Sequence, residues 1–515
     1  MKLHSQILKF SNPQILFAVL AWSLFVLRFG YRYGTGDQVE LLPYTLLLQN
    51  SSLYEHDFFI QGLNASVPNE RTVMANLLLP FVNHLEIFCF VFQLLSTVVL
   101  ILGLEKLARR FIQNKYVAWL AILVALIPLN DFALGNVELY SECFQASGLA
   151  VAVIVWAINL FLDRKYLFAS ALMSAATFIQ LLEGLDVMMV LCAILFISAV
   201  RNEVKWKVFV GFLIIYAFTA GIYLVVVFMQ KQVIVGVSNQ ELFNILFEFR
   251  HPHHFIFSAF SKTKLLVFFT LTALSLLFFT LRSKQLFQLV LIGLAGVIVY
   301  AIAVDGLHSV FIGNFQFYKV TQWMKFLGVV AVFGFAEQYL SSFTSSLPAS
   351  LERAGLIVSI VLCWVVILNY SSILPYKVPF QLFGMKEQDD MIAICEQIKE
   401  VTPPDAVFVQ PFDNTELKFY SQRSSYVEFK ANVRNKAFVT EWAKRVEEVF
   451  GVSAQLQTKG FALRQKADAY FYNARKEQLD LLKRKGVTHI LTKRLYPAST
   501  GQLILHNKTY AVYQL

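Results

Sequence analysis

Long apolar runs recur along most of the chain and constrain its fold more than any other feature. Stretches such as FAVLAWSLFVLRFG and FVFQLLSTVVLILGL approach the roughly 20 apolar residues that an α-helix needs to cross a bilayer. Hydrophobic residues make up 57% of the 515 positions and charged residues only 15%, whereas soluble proteins carry about a quarter charged residues. The sequence therefore predicts a polytopic α-helical membrane protein.

Windowed hydropathy predicts about eleven transmembrane helices. The third, fifth and sixth are short enough to be tilted or broken, and Gly184 and Asp186 barely separate the fifth from the sixth. The predicted limits are Pro13–Gly30, His84–Leu107, Tyr116–Leu129, Cys143–Leu162, Tyr166–Leu182, Leu185–Val200, Trp206–Met229, Leu265–Leu281, Leu286–Val304, Met324–Leu340 and Ala354–Ile373.

The connectors between these spans alternate in charge, and the alternation predicts the orientation of the chain. Excess Lys and Arg mark cytoplasmic loops, so the net charge of +10 needs no nucleic-acid partner. The N-terminus is then cytoplasmic, and an odd number of spans places the C-terminus outside. Basic clusters stand at residues 106–115, 164–165, 201–207 and 282–284. We call the alternate set, 31–83, 130–142, 180–186, 230–264 and 305–320, the outer connectors.

The composition changes near Pro375, which predicts two domains. Residues 1–374 form a transmembrane domain, and residues 375–515 form a soluble extracytoplasmic α/β domain, because short strands alternate there with amphipathic helices. The predicted elements are helices at Met385–Glu400, Ala437–Phe450 and Asp468–Lys485, strands at Ala406–Gln410 and in GVTHILTK, and a hairpin in LILHNKTYAVYQL.

Two outer connectors are long, residues 31–83 and 230–264, and long loops on a rigid bundle tend to carry binding and chemistry. The first places Asp37, Glu40 and Asp57 beside the membrane. Apolar residues recur in it at helical spacing, which predicts an amphipathic interfacial helix over Asp37–Leu48. Glu40 follows Asp37 by three residues, so the two acids share roughly one face, and Glu40 is expected to contribute to substrate binding.

These acids suit two kinds of chemistry. A carboxylate at a partly dry surface can act as general base towards a hydroxyl group or hold a divalent cation. A simpler interpretation is also open, in which Asp37 caps the helix and the other acids solvate a loop. The five cysteines form no CxxC pair, so neither a disulfide framework nor a zinc site is expected.

The motifs GDQVELLPY, LYEHDFF, FRHPHHF, RSSYVEFK and EWAKRVEEVFG resemble a mostly uncharacterised bacterial subgroup of the GT-C superfamily of membrane glycosyltransferases. The resemblance implies a multi-pass protein of the bacterial inner (plasma) membrane that takes a sugar from a polyprenyl phosphate or pyrophosphate carrier. It implies that an acid of the first outer loop is the catalytic base, a role that falls on Asp37, with Asp57 second. The sequence lacks a contiguous Asp-x-Asp there, which argues against a metal requirement, and a divalent cation stays open as the one candidate cofactor.

The motif FRHPHHF predicts a site for substrate phosphate at Arg250, His251, His253 and His254. Arginine offers a planar fork for phosphate oxygens, and histidine can donate a proton or bind a metal. The resemblance further implies that Lys319 neutralises the carrier phosphate. Solvated histidines and a lysine that snorkels to the interface are the simpler alternatives.

Three further acids stand on outer connectors near the bilayer: Glu138, Glu142 and Glu183. Acids at that depth are costly unless they are paired or wet, so we expect them to line the same cavity and to pair with Arg32, Arg250 or Lys319. The tail motifs around Arg423–Lys430 predict contacts with the helical bundle more than catalysis.

These features together predict a glycosyltransferase that moves a sugar from a polyprenyl-phosphate-linked donor to a glycan, lipid or protein acceptor on the extracytoplasmic face. A transporter or flippase of lipid-linked glycans is one rival, although charges at the midplane and internal repeats are not evident. A non-catalytic assembly protein on a GT-C scaffold is the other, because a fold alone never proves activity.

Overall fold

A computed structural model describes residues 12–230, 237–344, 389–433, 435–496, 498 and 501–515. The eleventh predicted span, Ala354–Ile373, and the domain boundary predicted near Pro375 lie outside the described residues.

A helix occupies each of the first ten predicted spans, and short helices fill the outer connectors. The helices are α1 (Asn12–Phe29), α2 (Gln38–Gln49), α3 (Phe58–Asn64), α4 (Thr72–Leu78), α5 (Leu85–Ala108), α6 (Lys115–Leu126), α7 (Ala146–Leu162), α8 (Tyr166–Ile179), α9 (Leu181–Val200), α10 (Trp206–Tyr216), α11 (Ile222–Gln230), α12 (Asn239–Phe243), α13 (Pro252–Phe255), α14 (Lys262–Thr280), α15 (Lys284–Ala301), α16 (Val310–Gly313) and α17 (Thr321–Thr344).

The length and apolar composition of a helix determine whether it can span a membrane. A π turn at Ala217–Gly221 joins α10 to α11, and a 3₁₀ turn at Leu79–His84 joins α4 to α5. Shorter apolar helices stand at Pro13–Val26, Lys115–Leu126, Ala146–Leu162 and Tyr166–Ile179. In the part of the chain that the structure describes, five helical segments are long and apolar enough to cross a bilayer: Thr72–Ala108, Leu181–Val200, Trp206–Met229, Lys262–Thr280 and Lys284–Gly306.

The corner between α8 and α9 depends on a glycine. The two helices meet at Gln180, whose extended backbone ends one helix and begins the next. A Cβ atom on Gly184 would lie only 2.4 Å from the backbone nitrogen of Thr177. Glycine therefore permits the close approach of the two helices, which holds Glu183 at the start of α9.

The C-terminal domain is a small α/β unit with a five-stranded sheet among its described residues, in the order β2-β1-β3-β5-β4. Strand β1 runs parallel to its neighbours β2 and β3, and β5 runs antiparallel to the central strand β3 and to β4. The helix predicted at Asp468–Lys485 is two helices, because the backbone leaves the helical region between Asn473 and Arg475. The elements are α18 (Asp390–Val401), β1 (Val407–Val409), α19 (Glu416–Ser421), β2 (Ser424–Ser425), α20 (Lys436–Phe450), α21 (Arg464–Tyr472), α22 (Lys476–Arg484), β3 (His489–Lys493), β4 (Gln502–His506) and β5 (Tyr510–Gln514).

The C-terminal domain packs directly onto the first outer connector. The hydroxyl group of Tyr54 donates a hydrogen bond to the carbonyl of Lys418 at 3.0 Å, and the ring of Phe58 stacks on Phe438 with the centroids 4.2 Å apart. Helices α3, α4 and α19 all pack against α2, and α2 is buried from Gln38 to Leu47. The predicted interfacial helix is thus an interior helix between the two domains.

Candidate functional site

A cavity of about 430 Å³ lies where the outer connectors meet the C-terminal domain. All five outer connectors contribute to its wall, and none of the residues in the four basic clusters, all of which the structure describes, borders it. The alternation of charge along the sequence therefore corresponds to two different ends of the bundle. The wall includes Asp37, Glu40, Glu138, Glu183, Arg250, His251, His253, His254 and Lys319 from the predicted site residues.

Asp37 stands at the start of α2 and faces this cavity. It occupies the N-cap position, yet its carboxylate makes no capping hydrogen bond, and its side chain is 58% exposed although protein surrounds it. The Nζ atom of Lys430 lies 3.8 Å from Oδ1 of Asp37 and donates a hydrogen bond to the carbonyl of Gly36. Burial raises the pKa of Asp37, but Lys430, Arg71 and Lys319 outweigh it and hold the pKa below its ordinary value. The carboxylate is therefore ionised and within reach of a ligand.

Glu40 borders the cavity as an ion pair. Arg71 contacts Glu40 and also pairs with Glu70 at 2.8 Å. Glu40 is buried, so most of its charge is neutralised by the guanidinium group. Glu40 is therefore better placed to orient Arg71 than to accept or donate a proton.

Arg250 ends a π turn, Asn244–Arg250, on the second long connector. Its guanidinium group donates a hydrogen bond to the carbonyl of Lys430 and lies 5.9 Å from the ring centroid of Trp442. The C-terminal domain therefore fixes Arg250 against the cavity wall. Gly460 of that domain packs on Pro252, where a Cβ atom would approach to 3.0 Å.

The three histidines of the motif carry little positive charge at neutral pH. Burial, together with Arg250, lowers the pKa of His253 to about 4, and burial, followed by the charge of His253, lowers the pKa of His254 to about 3. The Nδ1 atom of His254 lies 2.7 Å from the carbonyl of Gly135. Because a carbonyl only accepts, Nδ1 carries the proton in the neutral ring, and Nε2 is left as an acceptor.

Lys319 reaches the cavity from the connector before α17. Its Nζ atom lies 2.8 Å from Oε1 of Glu183, and the amide of Gln322 donates to the other carboxylate oxygen at 2.6 Å. The lysine thus pairs with a buried acid of the neighbouring connector. The expected pairing of Glu183 with Lys319 is present in the structure.

The two remaining predicted acids differ in position. Glu138 borders the cavity, and burial, followed by the charges of Asp131 and Glu142, raises its pKa to about 8. Glu142 stands outside the cavity wall, where its backbone carbonyl accepts a hydrogen bond from the amide of Arg32 at 3.0 Å. Only Glu138 of this pair can meet a ligand in the cavity.

Asp57 lies away from the cavity, in a buried network between the domains. Its carboxylate caps α3 through the amide of Ile60 and accepts the amide of Ser425 at 2.8 Å. Lys418, fully buried, lies 3.9 Å from Asp57 and 2.6 Å from Glu428. These contacts attach the C-terminal domain to the first outer connector, and they leave Asp57 no access to a substrate in the cavity.

Two cationic residues of the cavity wall, Arg71 and Lys430, were not predicted as site residues from the sequence. Arg71 stands in a stretch without a motif, and its role depends on contacts with Glu40 and Glu70 that only folding creates. Lys430 belongs to RSSYVEFK, and the resemblance pointed to that motif, but its contact with Asp37 joins positions nearly 400 residues apart. Only the docked C-terminal domain brings the two together.

The wall residues do not suit a divalent cation. Among the described residues there is no group of three or more His, Cys, Asp or Glu side chains placed to hold a metal ion. The nearest charged partner of Asp37 is the ammonium group of Lys430, which would repel a cation at that carboxylate.

Comparisons with known proteins give two findings. A family model described as "Domain of unknown function (DUF6798)" matches residues 389–449, in the C-terminal domain. The crystal structure of ArnT from Cupriavidus metallidurans bound to undecaprenyl phosphate is similar at 12% identity, over 97% of this chain and 97% of that chain, with a TM-score of 0.45. No curated protein matches the chain.

Proposed function

We propose that this protein is a GT-C-like glycosyltransferase that moves a sugar from a polyprenyl-phosphate-linked donor to an acceptor on the extracytoplasmic face of the membrane. One observation carries the proposal. A single cavity contains an accessible, ionised carboxylate, Asp37, together with Arg250 and Lys319 from two other connectors. A base and a set of cations around one space suit the displacement of a phosphate leaving group.

Each group has a defined part in this reaction. Asp37 accepts the proton of the acceptor hydroxyl, whose oxygen attacks the anomeric carbon of the donor sugar. The bond between that carbon and the phosphate oxygen breaks, and the phosphate leaves with the electron pair. Arg250 and Lys319 stabilise the negative charge that develops on it. A single displacement of this kind inverts the configuration at the anomeric carbon.

The histidines contribute as neutral groups. Their low pKa values leave Arg250, Lys319 and Lys430 as the cations of the cavity wall beside Arg71 at neutral pH. With Nδ1 of His254 donating to the Gly135 carbonyl, the unprotonated Nε2 can accept a hydrogen bond from a sugar or acceptor hydroxyl group. Phosphate binding in this proposal therefore depends on the arginine and the lysines.

The proposal is tested by transfer from polyprenyl-linked sugars of bacterial membranes, catalysed by the purified full-length protein. Asp37→Asn keeps the shape of the side chain but removes the base, so we expect transfer to fall by roughly 100-fold or more. Binding of the carrier should be retained. The matched control is Glu55→Gln, an exposed acid of the same connector that does not border the cavity, and its rate should equal that of the wild type.

Equal transfer by wild type and Asp37→Asn would remove Asp37 from the mechanism. Carrier binding without turnover in every variant would instead favour a transporter. That second candidate has one observation of its own: Asp186 in α9 is fully buried, and neither carboxylate oxygen has a hydrogen-bond partner among the described residues. Acids inside the membrane often mark ion pathways.

A further inference from the structure

The wall that the C-terminal domain contributes to the cavity has an amide with no partner. Asn432 borders the cavity and is only 5% exposed. Neither its Nδ2 nor its Oδ1 makes a hydrogen bond to any described residue. Buried polar groups are nearly always hydrogen-bonded, and each exception calls for an explanation. One explanation is a ligand in the cavity that forms the missing hydrogen bonds with Asn432.

The chemistry of an amide restricts what this ligand is. Asn432 offers two donor hydrogens and one acceptor oxygen. A phosphate or carboxylate would use only the donors and would be repelled by the oxygen. Hydroxyl groups both donate and accept, so neighbouring hydroxyl groups of a sugar satisfy both ends of the amide.

An aromatic ring stands on the same wall. Phe461 borders the cavity and is 58% exposed, and its ring centroid lies 5.1 Å from that of His253. Gly460, with φ of +57°, makes the turn that brings this segment against Pro252. The exposed face of Phe461 offers an apolar surface to the C–H face of a sugar ring.

We propose that Asn432 and Phe461 form a subsite for a neutral polyhydroxyl moiety, so that the C-terminal domain selects the sugar on which the protein acts. This inference rests on the proposed function and divides the cavity in two. Arg250 and Lys319 take the phosphate, and the wall of the C-terminal domain takes the hydroxyl-rich part. The moiety belongs either to the donor sugar or to a glycan acceptor.

The test measures binding to the full-length protein, which requires no turnover. The probes are decaprenyl phosphate that carries one hexose, decaprenyl phosphate alone, and a free methyl hexoside. For a sugar on the donor, Asn432→Ala and Phe461→Ala weaken binding of the hexose-bearing carrier by roughly tenfold, the effect of one or two lost contacts, and leave binding of the bare carrier unchanged. For a glycan acceptor, the same variants weaken only the methyl hexoside.

Two further variants guard the interpretation. Phe461→Tyr keeps an aromatic face and should restore binding, whereas Asn473→Ala removes an exposed asparagine of the same domain and should have no effect. Equal loss of binding for all three probes would mean a structural role, and unchanged binding of both sugar probes would mean no subsite; either result overturns the inference. Failure of the proposed function appears separately, as absent transfer by a wild type that still discriminates the sugar.

Discussion

Asp37 keeps its charge at a position where burial alone would favour the neutral acid. The opposing contribution comes first from Lys430 and then from Arg71 and Lys319. Asp37 and Lys430 stand on different domains, so the state of the proposed base depends on the docking of the C-terminal domain. An acid with a lowered pKa stays ionised, and thus competent as a base, over a wide range of pH.

This dependence predicts a shift in the pH profile when Lys430 is replaced. Lys430→Met removes the strongest charge that lowers the pKa of Asp37, so the pKa rises. Because a base works only when ionised, the rate falls as the pH falls through that pKa. The acidic limb of the profile of kcat/KM should therefore move to higher pH in the variant. Lys444→Met, an exposed lysine of the same domain, should leave the limb in place; a limb that stays or moves to lower pH in Lys430→Met would contradict the assignment.

At the scale of single residues, the sequence predicted which charged residues lie around the cavity. It predicted less well which ion pairs and hydrogen bonds each of them makes. Asp37, Arg250 and Lys319 stand on separate connectors, and the alternation of charge was enough to place them at one end of the bundle. The role of Asp57 depends on its burial against Lys418 and Ser425, which no local pattern reveals. Asp57 and Asp37 lie on the same connector, so the sequence suggested similar roles for them. Their tertiary contacts place them in different environments.

At the scale of elements, the two domains are joined by a buried network of acidic and basic side chains. Lys418 stands between Asp57 of the first outer connector and Glu428 of the C-terminal domain, and all three are buried. Removal of one member of such a network leaves uncompensated buried charge, which costs more than the network itself contributes.

The network predicts a large effect of one substitution. Lys418→Met leaves two carboxylates buried without their cation, and we expect a loss of about 3–5 kcal/mol in the free energy of unfolding. Thermal unfolding in detergent and limited proteolysis of the C-terminal domain would measure it. Lys399→Met, at an exposed position of α18, should change stability by less than about 0.5 kcal/mol. Wild-type stability of Lys418→Met would show that the network does not hold the domains together.

The periodic helices were predictable as elements, and their environment was not. Apolar runs gave α5 and α15 within a few residues, because a membrane span must be long and apolar whatever its neighbours are. The spacing in α2 also indicated a helix, but it suggested one wet face, whereas α2 is buried from Gln38 to Leu47 among helices of both domains. Burial by a second domain leaves no periodic signal in the buried helix, so the sequence cannot supply it.

At the scale of the whole molecule, the cavity has walls from both domains and faces away from the basic clusters. Its proposed chemistry requires that end of the bundle to be extracytoplasmic, where a lipid-linked sugar would meet its acceptor. The positive-inside rule predicts the same orientation from independent residues. The proposed chemistry of the cavity and the charge of the opposite connectors therefore require the same orientation of the chain in the membrane.

Cysteine labelling would decide this topology. In a variant whose five native cysteines are replaced by serine, Lys483→Cys introduces an exposed thiol on α22 of the C-terminal domain, and Arg201→Cys introduces one in a basic cluster. We expect a membrane-impermeant maleimide to label Lys483→Cys in intact bacterial spheroplasts and Arg201→Cys only after lysis. Labelling of both after lysis confirms that each thiol is reactive. The reverse pattern in intact spheroplasts would place the cavity in the cytoplasm, where the acceptor would have to be an intracellular molecule, and would contradict the proposed reaction at its outer face.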